Sequence, residues 1–403
     1  MHSSKNIIGS RGKELEGKKV ALCICGSVAA VKSPELAREL MRHGAEVMPV
    51  MSHAAKDMIR PDLMHWATGN PVITTLTGDV EHLMLCGREK GTVDLVIVAP
   101  ATASTIGKLA SGIDDTPMAT ILTTALGSGI PIIVAPAMHL SISDNPIVRE
   151  NIRRLKTLGV EFVEPVASEG KAKMASIEEI AGLVMRMLYK KDLEGMKVLV
   201  TAGATREHID DIRFISNPSS GKMGIEIARE AYLRGADTLL VCGHVDAEVP
   251  HYIRRVYAES TEEMMRAVMA NLRRSNIVVL AAAPSDFAPA RRSGKISSRA
   301  MLRLTLHPLP KISDNIKKVK KSVKLVLFKA ESRVGEQKLK KIALQKLKKS
   351  RADMIVANDV GKKGMGFGSE YNEVLVIKPD GSARKIKGKK SEIAKCIFDS
   401  LLS

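Results

Sequence analysis

The sequence predicts an α/β protein made of two doubly wound domains with mainly parallel sheets. Three observations carry this. Leu15-Glu16-Gly17-Lys18-Lys19-Val20 recurs as Leu193-Glu194-Gly195-Met196-Lys197-Val198. Each copy runs into a short apolar segment that stops at a glycine, Gly26 in one case and Gly203 in the other. From there, apolar runs of strand length alternate with stretches of helical period to the C-terminus, the pattern of parallel strands joined by crossover helices.

In the first half the apolar segment 20–25 is followed by runs at 47–51, 95–99 and 132–135, read as buried parallel strands. Helical stretches separate them at 34–42, 103–109, 117–125 and 147–158. Ser33 and Pro34 supply a cap and a first helical residue for the earliest of these. A further helix, 177–188, leads into the charged bridge Tyr189-Lys190-Lys191-Asp192, which sets the expected domains at 1–190 and 191–403. The second half repeats the design with strands at 198–202, 238–242, 277–282, 325–328, 354–357 and 374–377. Both halves are therefore expected to be Rossmann-like, with ligands at the carboxyl ends of the strands.

Composition narrows the class of function. The chain has 403 residues, 45 % hydrophobic and 26 % charged, which excludes a disordered or collagen-like protein. No stretch reaches the ~18–20 apolar residues of a membrane span, and the polar N-terminus predicts no signal peptide. Lys and Arg number 62 against 44 Asp and Glu, a net charge of +18, yet aromatics are only 3 %. Nucleic-acid platforms depend on aromatic stacking, so no nucleic acid is expected, and the charge suits phosphorylated small molecules or solubility. The block 311–351 holds 15 basic and 3 acidic residues and reads mainly as a solvated helix face. Five cysteines (Cys23, Cys25, Cys86, Cys242 and Cys396) with no C-x-x-C spacing point away from a disulfide framework or zinc site and towards the cytoplasm.

Several loops at predicted strand ends are candidates for chemistry. Gly26-Ser27-Val28-Ala29-Ala30-Val31-Lys32 can aim backbone N–H groups at an anion, although it is not a G-x-G-x-x-G fingerprint. Ala99-Pro100-Ala101-Thr102-Ala103-Ser104-Thr105 opens a helix with several hydroxyls. Ala135-Pro136-Ala137-Met138-His139 ends another strand, and His82 precedes the 95–99 strand. Thr201-Ala202-Gly203-Ala204-Thr205-Arg206-Glu207 and Ile215-Ser216-Asn217-Pro218-Ser219-Ser220-Gly221-Lys222-Met223-Gly224 form the richest pair, an anion cradle that is not a P-loop. Ala281-Ala282-Ala283-Pro284-Ser285-Asp286-Phe287, with Lys295 beyond it, offers a carboxylate for a base amino group and a lysine for phosphate. The plain alternatives are a tight turn, a structural histidine and a helix-capping aspartate.

In this order the motifs resemble the bifunctional phosphopantothenoylcysteine decarboxylase / phosphopantothenate–cysteine ligase family of coenzyme A biosynthesis, over about 15–403. The stretch from Thr201 to Gly224 is the most specific part; 327–332 and 352–359 agree with it. Gly26 to Lys32, 100–103 and 136–138 are similar to the wider group of flavin-dependent cysteine decarboxylases.

The resemblance implies FMN in the first half, held by Gly26, Ser27, Ser52 and Ser104, with His82 as the active-site histidine. It implies oxidation of a cysteine thiol by the flavin so that carbon dioxide can leave. In the second half it implies a CTP-dependent ligase: 4'-phosphopantothenate attacks the α-phosphate of CTP with a divalent cation, Mg²⁺, and cysteine displaces CMP from the acyl-cytidylate. Asn217 would hold the acyl intermediate. Ala281 and Ala282 would line the base and Asp286 read its amino group, with Phe328 nearby, and Lys295 and Lys346 would take the triphosphate. The substrates are small molecules, and a homo-oligomer is implied.

This chain departs from the pattern at three places. His139 stands where the family has asparagine after Pro-Ala-Met. The substrate loop 167–174 has no cysteine, so Lys171, Lys173 or another residue would stand in as the acid. The second triphosphate lysine is replaced by Ser350, beside Lys349. Two other readings stay open from sequence alone: a working ligase with an impaired flavin domain, and a basic nucleotide- or RNA-binding protein.

Overall fold

The computed structural model describes residues 2–297, 301–361, 366 and 368–403. The chain divides into two compact units, Met1–Tyr189 and Lys190–Ser403. Among the described residues, no helix is long and apolar enough to cross a membrane.

The first unit is built on strands β1 (Lys19–Ile24), β2 (Glu46–Met51), β3 (Leu95–Ala101), β4 (Ile132–Pro136) and β5 (Glu161–Phe162). They form one parallel sheet in the order β2-β1-β3-β4-β5. Helices on both faces explain the unbroken apolar runs: every residue of β3 is buried. The helices are α1 (Ser33–Arg42), α2 (His53–Met58), α3 (Pro61–Thr68), α4 (Glu81–Cys86), α5 (Ala103–Ser111), α6 (Pro117–Ser128), α7 (Pro146–Thr157) and α8 (Ile177–Leu188). Their starts follow local chemistry. Thr116 caps α6 ahead of Pro117, and Ser176 with Glu179 forms a capping box on α8. A small antiparallel sheet of Met138–His139, Lys171–Lys173 and Val166–Ser168 was not expected.

The second unit holds β6 (Lys197–Ala202), β7 (Asp237–Cys242), β8 (Arg254–Tyr257), β9 (Ile277–Leu280), β10 (Lys324–Glu331), β11 (Met354–Asp359), β12 (Tyr371–Ile377) and β13 (Ala383–Lys389), in the order β8-β7-β6-β9-β10-β11-β12-β13. The pairings from β8 to β11 are parallel. The run 374–377, read with the parallel strands, lies in antiparallel β12, and β13 follows it through a short turn that needs no crossover helix. The 277–282 run ends as a strand at Leu280, because the chain turns there to form the site described below.

Alternate residues of this sheet feed two separate cores. Val198, Val200, Val279 and Val356 pack against α9 (Lys222–Leu233) and α13 (Lys390–Leu402). Leu199, Val278, Ile355 and Ala357 pack on the other face against α10 (Thr261–Leu272), α11 (Ser313–Val319) and α12 (Glu336–Ser350).

The duplicated opening has a physical origin. Leu15 and Leu193 are both fully buried. Each donates its backbone N–H to the carbonyl of the residue that ends the first long helix, Leu15 to His43 at 2.9 Å and Leu193 to Arg234 at 3.1 Å. The repeat is a plug under the turn that sends the chain from helix to second strand.

Candidate active sites

In the first unit the strand order reverses between β1 and β3, so a crevice opens at their carboxyl ends. The loops there are stitched together by hydrogen bonds. Cys25 N–H donates to Pro100 O at 3.1 Å, Ser52 N–H to Ile24 O at 3.1 Å, and Ala137 N–H to Ala101 O at 2.9 Å. Gly26 follows β1, and a Cβ placed on it would lie 2.4 Å from Ala54 Cβ, so only glycine allows this approach to the start of α2. Ser27 and Ser52 are half-buried caps that accept from Ala29 N–H at 3.4 Å and Ala55 N–H at 3.2 Å. Ser104 lies exposed in the first turn of α5. The edge thus offers hydroxyls, helix N-termini and a glycine-made close approach, with neutral donors. That set fits the phosphate and hydroxyl chain of a flavin nucleotide.

The remaining candidates of this unit reach the edge differently. His139 is exposed at the end of β4 and sits opposite Lys171 in the small antiparallel sheet. Lys173, on the same hairpin, pairs with Glu169 at 2.7 Å. His82 lies on α4, and its Nδ1 is buried without a hydrogen-bond partner. Burial pushes the Cys23, Cys25 and Cys86 thiols up, Cys86 to about 12, so at neutral pH these thiols are protonated.

The second unit has its reversal between β6 and β9, and a cleft of about 390 Å³ opens there. Its floor is made by the two strand ends. Ala282 N–H donates to Thr201 Oγ1 at 3.1 Å, Ala283 N–H to Gly203 O at 2.8 Å, and Ser285 N–H to Thr205 Oγ1 at 2.9 Å. The first turn of α9 lies against that floor. A Cβ on Gly224 would fall 2.6 Å from Ala202 Cβ, so a side chain there would push the helix off the strand.

Ala281, Ala282, Asp286, Phe328 and Lys346 all line this cleft. Asn217 stands at its rim, where Nδ2 donates to Ala283 O and Pro284 O, both at 3.1 Å. Asp286 forms an ion pair with Lys311. Lys346 donates to Ser313 Oγ at 2.7 Å and Asp314 Oδ1 at 2.9 Å, and these contacts lower the Asp314 carboxyl against the opposing effect of its burial.

Lys295 does not line the cleft. It is exposed on a loop whose Gly294 and Ile296 N–H groups donate to Asp211 and Asp210 at 2.8 and 3.1 Å. Lys311, Ser313 and Lys390 line the cleft but were not singled out in the sequence, whereas Lys222 was part of the expected anion cradle. Lys311 and Ser313 belong to the basic block, where lysine density hid them among solvated neighbours. Lys222 and Lys390 begin α9 and α13, and only the fold brings those helix ends together at the cleft.

Comparison with known proteins matches the two halves of the chain separately. Residues 8–189 match the Flavoprotein family model, and residues 193–403 match the model for the DNA/pantothenate metabolism flavoprotein C-terminal domain. The Coenzyme A biosynthesis bifunctional protein CoaBC of Thermococcus kodakarensis is 48 % identical, covering 100 % of this chain and 99 % of its own. The protein of that name from Methanocaldococcus jannaschii is 35 % identical, covering 100 % and 97 %. Among solved structures, a C-terminal domain of such a bifunctional protein is 30 % identical with a TM-score of 0.44, covering 53 % of this chain and 97 % of its own. By its sequence over its whole length, the chain belongs to the family of coenzyme A biosynthesis bifunctional proteins.

Proposed function

We propose that the second unit joins 4'-phosphopantothenate to cysteine at the expense of CTP, and that the first unit decarboxylates the product to 4'-phosphopantetheine with FMN. The observation that carries the ligase reading is the cleft at the β6/β9 reversal. It gathers two small residues, a carboxylate, an aromatic ring and lysines in one place.

Ala281 and Ala282 leave room for a pyrimidine, and Asp286 accepts from its exocyclic amino group. Lys346, now held by Asp314, turns to the triphosphate; a divalent cation such as Mg²⁺, when bound with the nucleotide, would supply further neutralisation of phosphate charge. The substrate carboxylate oxygen attacks the α-phosphorus and pyrophosphate leaves. The cysteine amine then attacks the acyl carbon and CMP leaves. Asn217 is anchored at the rim by two carbonyls, a position that suits a donor to the mixed anhydride.

In the first unit, Gly26, Ser27, Ser52 and Ser104 would hold FMN, which when bound supplies two-electron oxidation of the substrate thiol. His139 and Lys171 stand opposite each other and orient the substrate carboxylate. His82 acts as base or steers that carboxylate, and Lys173 offers a proton at Nζ. The buried, protonated thiols suit a reducing cytoplasm.

The test is a two-stage assay of the full chain with 4'-phosphopantothenate, cysteine, CTP and Mg²⁺, followed by mass analysis. 4'-Phosphopantetheine is the expected product. Accumulation of phosphopantothenoylcysteine would overturn the decarboxylase part. Intact CTP with no product would overturn the whole reading.

A further inference from the structure

The loop that carries Asp286 is held from behind by a closed ring of hydrogen bonds. Ser285 N–H donates to Thr205 Oγ1 at 2.9 Å. Thr205 Oγ1 and Thr261 Oγ1 lie 2.8 Å apart. Thr261 Oγ1 donates to Ser285 O at 3.4 Å. Each hydroxyl has a single proton, so the directions are set. The Thr261 proton goes to the Ser285 carbonyl, and the Thr205 proton bridges to Thr261. We propose that Thr205 and Thr261 are positioning residues for base selection. They clamp both backbone polar groups of Ser285, next to Asp286, so that the cleft takes a pyrimidine with an exocyclic amino group, as in CTP, over one with a carbonyl there, as in UTP. This rests on the ligase reading above.

The ring joins three separate parts of the unit. Thr205 follows β6, Thr261 is the first residue of α10, and Ser285 lies in the loop after β9. Thr205 is fully buried, and Thr261 and Ser285 are 2 % and 6 % exposed. The neighbours of the ring are fixed in turn. Thr261 N–H donates to Glu207 Oε1 at 2.9 Å, a buried carboxylate at the start of α10. Thr205 O accepts from Ser216 Oγ at 2.8 Å. On the far side of the loop, Leu309 N–H donates to Asp286 O at 2.9 Å.

A buried backbone group without a partner is costly, and hydrogen bonds linked in a chain strengthen one another. The ring therefore resists any tilt of the backbone that presents Asp286 to the cleft. An ionised carboxylate only accepts hydrogen bonds. An amino group at the facing position of the base completes one. A carbonyl there is a second acceptor, and no bond forms. A site built around such a bond rejects the analogue that lacks the donor. That rejection holds only while the carboxylate stays within hydrogen-bond reach of the one ring position where the two bases differ. Holding Ser285 at both its N–H and its carbonyl keeps it there.

The test measures pyrophosphate release by the full chain with 4'-phosphopantothenate and either CTP or UTP. The parent chain is expected to prefer CTP. Thr261→Val keeps the shape of the side chain and removes the hydroxyl. It should lower kcat/KM for CTP about 5- to 150-fold, the loss expected when a buried carbonyl is left unpaired. Both kcat/KM for UTP and KM for 4'-phosphopantothenate should stay within about twofold, so the preference for CTP falls by nearly the same factor. Thr261→Ser returns the hydroxyl and should restore most of the preference. Thr205→Val should act like Thr261→Val, and the double variant should lose little more than either, because the ring opens only once. Should the valine variants not fold, amide exchange on the parent chain without nucleotide decides. The Ser285 N–H should be protected, and exchange as fast as in an exposed loop would overturn the clamp. Equal losses with CTP and UTP, additive losses in the double variant, or a rise confined to the 4'-phosphopantothenate KM would overturn the assignment while leaving the ligase reading intact. A parent chain that uses CTP and UTP alike would overturn the base-reading role of Asp286 on which the assignment stands. No pyrophosphate release with either nucleotide would overturn the ligase reading itself.

Discussion

Replacing Arg234 by methionine should unfold the second unit well before the rest of the chain. Arg234 is fully buried. It donates to Glu230 Oε1 at 2.6 Å, Asp399 Oδ1 at 2.7 Å, Asp192 Oδ2 at 3.1 Å and Lys395 O at 2.9 Å, and its guanidinium carbon lies 5.5 Å from the Phe398 ring. One side chain thus ties the end of α9 to the entry of the unit and to α13. Methionine restores most of the packing of the stem. The charges decide the outcome. Asp192 and Asp399 have side chains 38 % and 43 % exposed and regain water; Asp399 also keeps Lys190 at 2.5 Å. Glu230 is only 8 % exposed at its side chain and loses the Arg234 guanidinium. Breaking a buried pair in this way costs about 3–5 kcal/mol. For a unit of this size, each kcal/mol lowers Tm by roughly 2–4 °C, so calorimetry should show a drop of about 6–20 °C in its transition. Glu230→Gln in the methionine background removes the carboxylate that faced Arg234 and should return part of the loss. A drop of less than about 2 °C, or no recovery in the double variant, would refute the assignment of the cost to Glu230.

Two further expectations follow from close contacts. Gly26→Ala places a methyl against Ala54 and forces apart the loops that would hold the flavin. Overpacking of about 1–3 kcal/mol translates into a flavin Kd about 5- to 150-fold higher, read by titrating the apoprotein; unchanged affinity would place the flavin elsewhere. Asp210 is held down at about 2, first by the Arg213 N–H, with the Ile212 and Ile296 N–H groups and the Arg213 guanidinium adding to this against desolvation. Its folded value lies below its unfolded one, so its stabilisation is complete above about pH 4 and is lost as pH falls through about 2. Urea midpoints measured across that window should fall more steeply for the parent than for Asp210→Asn, and parallel curves would contradict the contact.

Much of the architecture is local and could be read from the chain. Caps and first-turn prolines mark helix starts, as at Ser176 and Pro117. Continuous apolar runs mark strands covered on both faces, as in β3. Glycine at a strand end marks close approach, as at Gly26. These signals depend on backbone conformation and periodicity within a few residues. The antiparallel β12 and β13 were harder, because an apolar run carries no direction; only the short connection between them does.

Side-chain partnerships across the fold were not legible. Asp286 lines the cleft, and the lysine that meets it is Lys311 of the basic block. Nothing in the basic block distinguishes Lys311 from the lysines around it. Lys390 reads as one of many surface lysines, and becomes a buried cation only when α13 docks beside α9. The sequence by itself determined the two parallel-sheet units, the strand-end loops and the residue types offered there. The tertiary structure alone decided which charges meet, because Coulombic and hydrogen-bond contacts depend on distances between residues far apart in the chain, and those distances exist only after the helices have packed on the sheet.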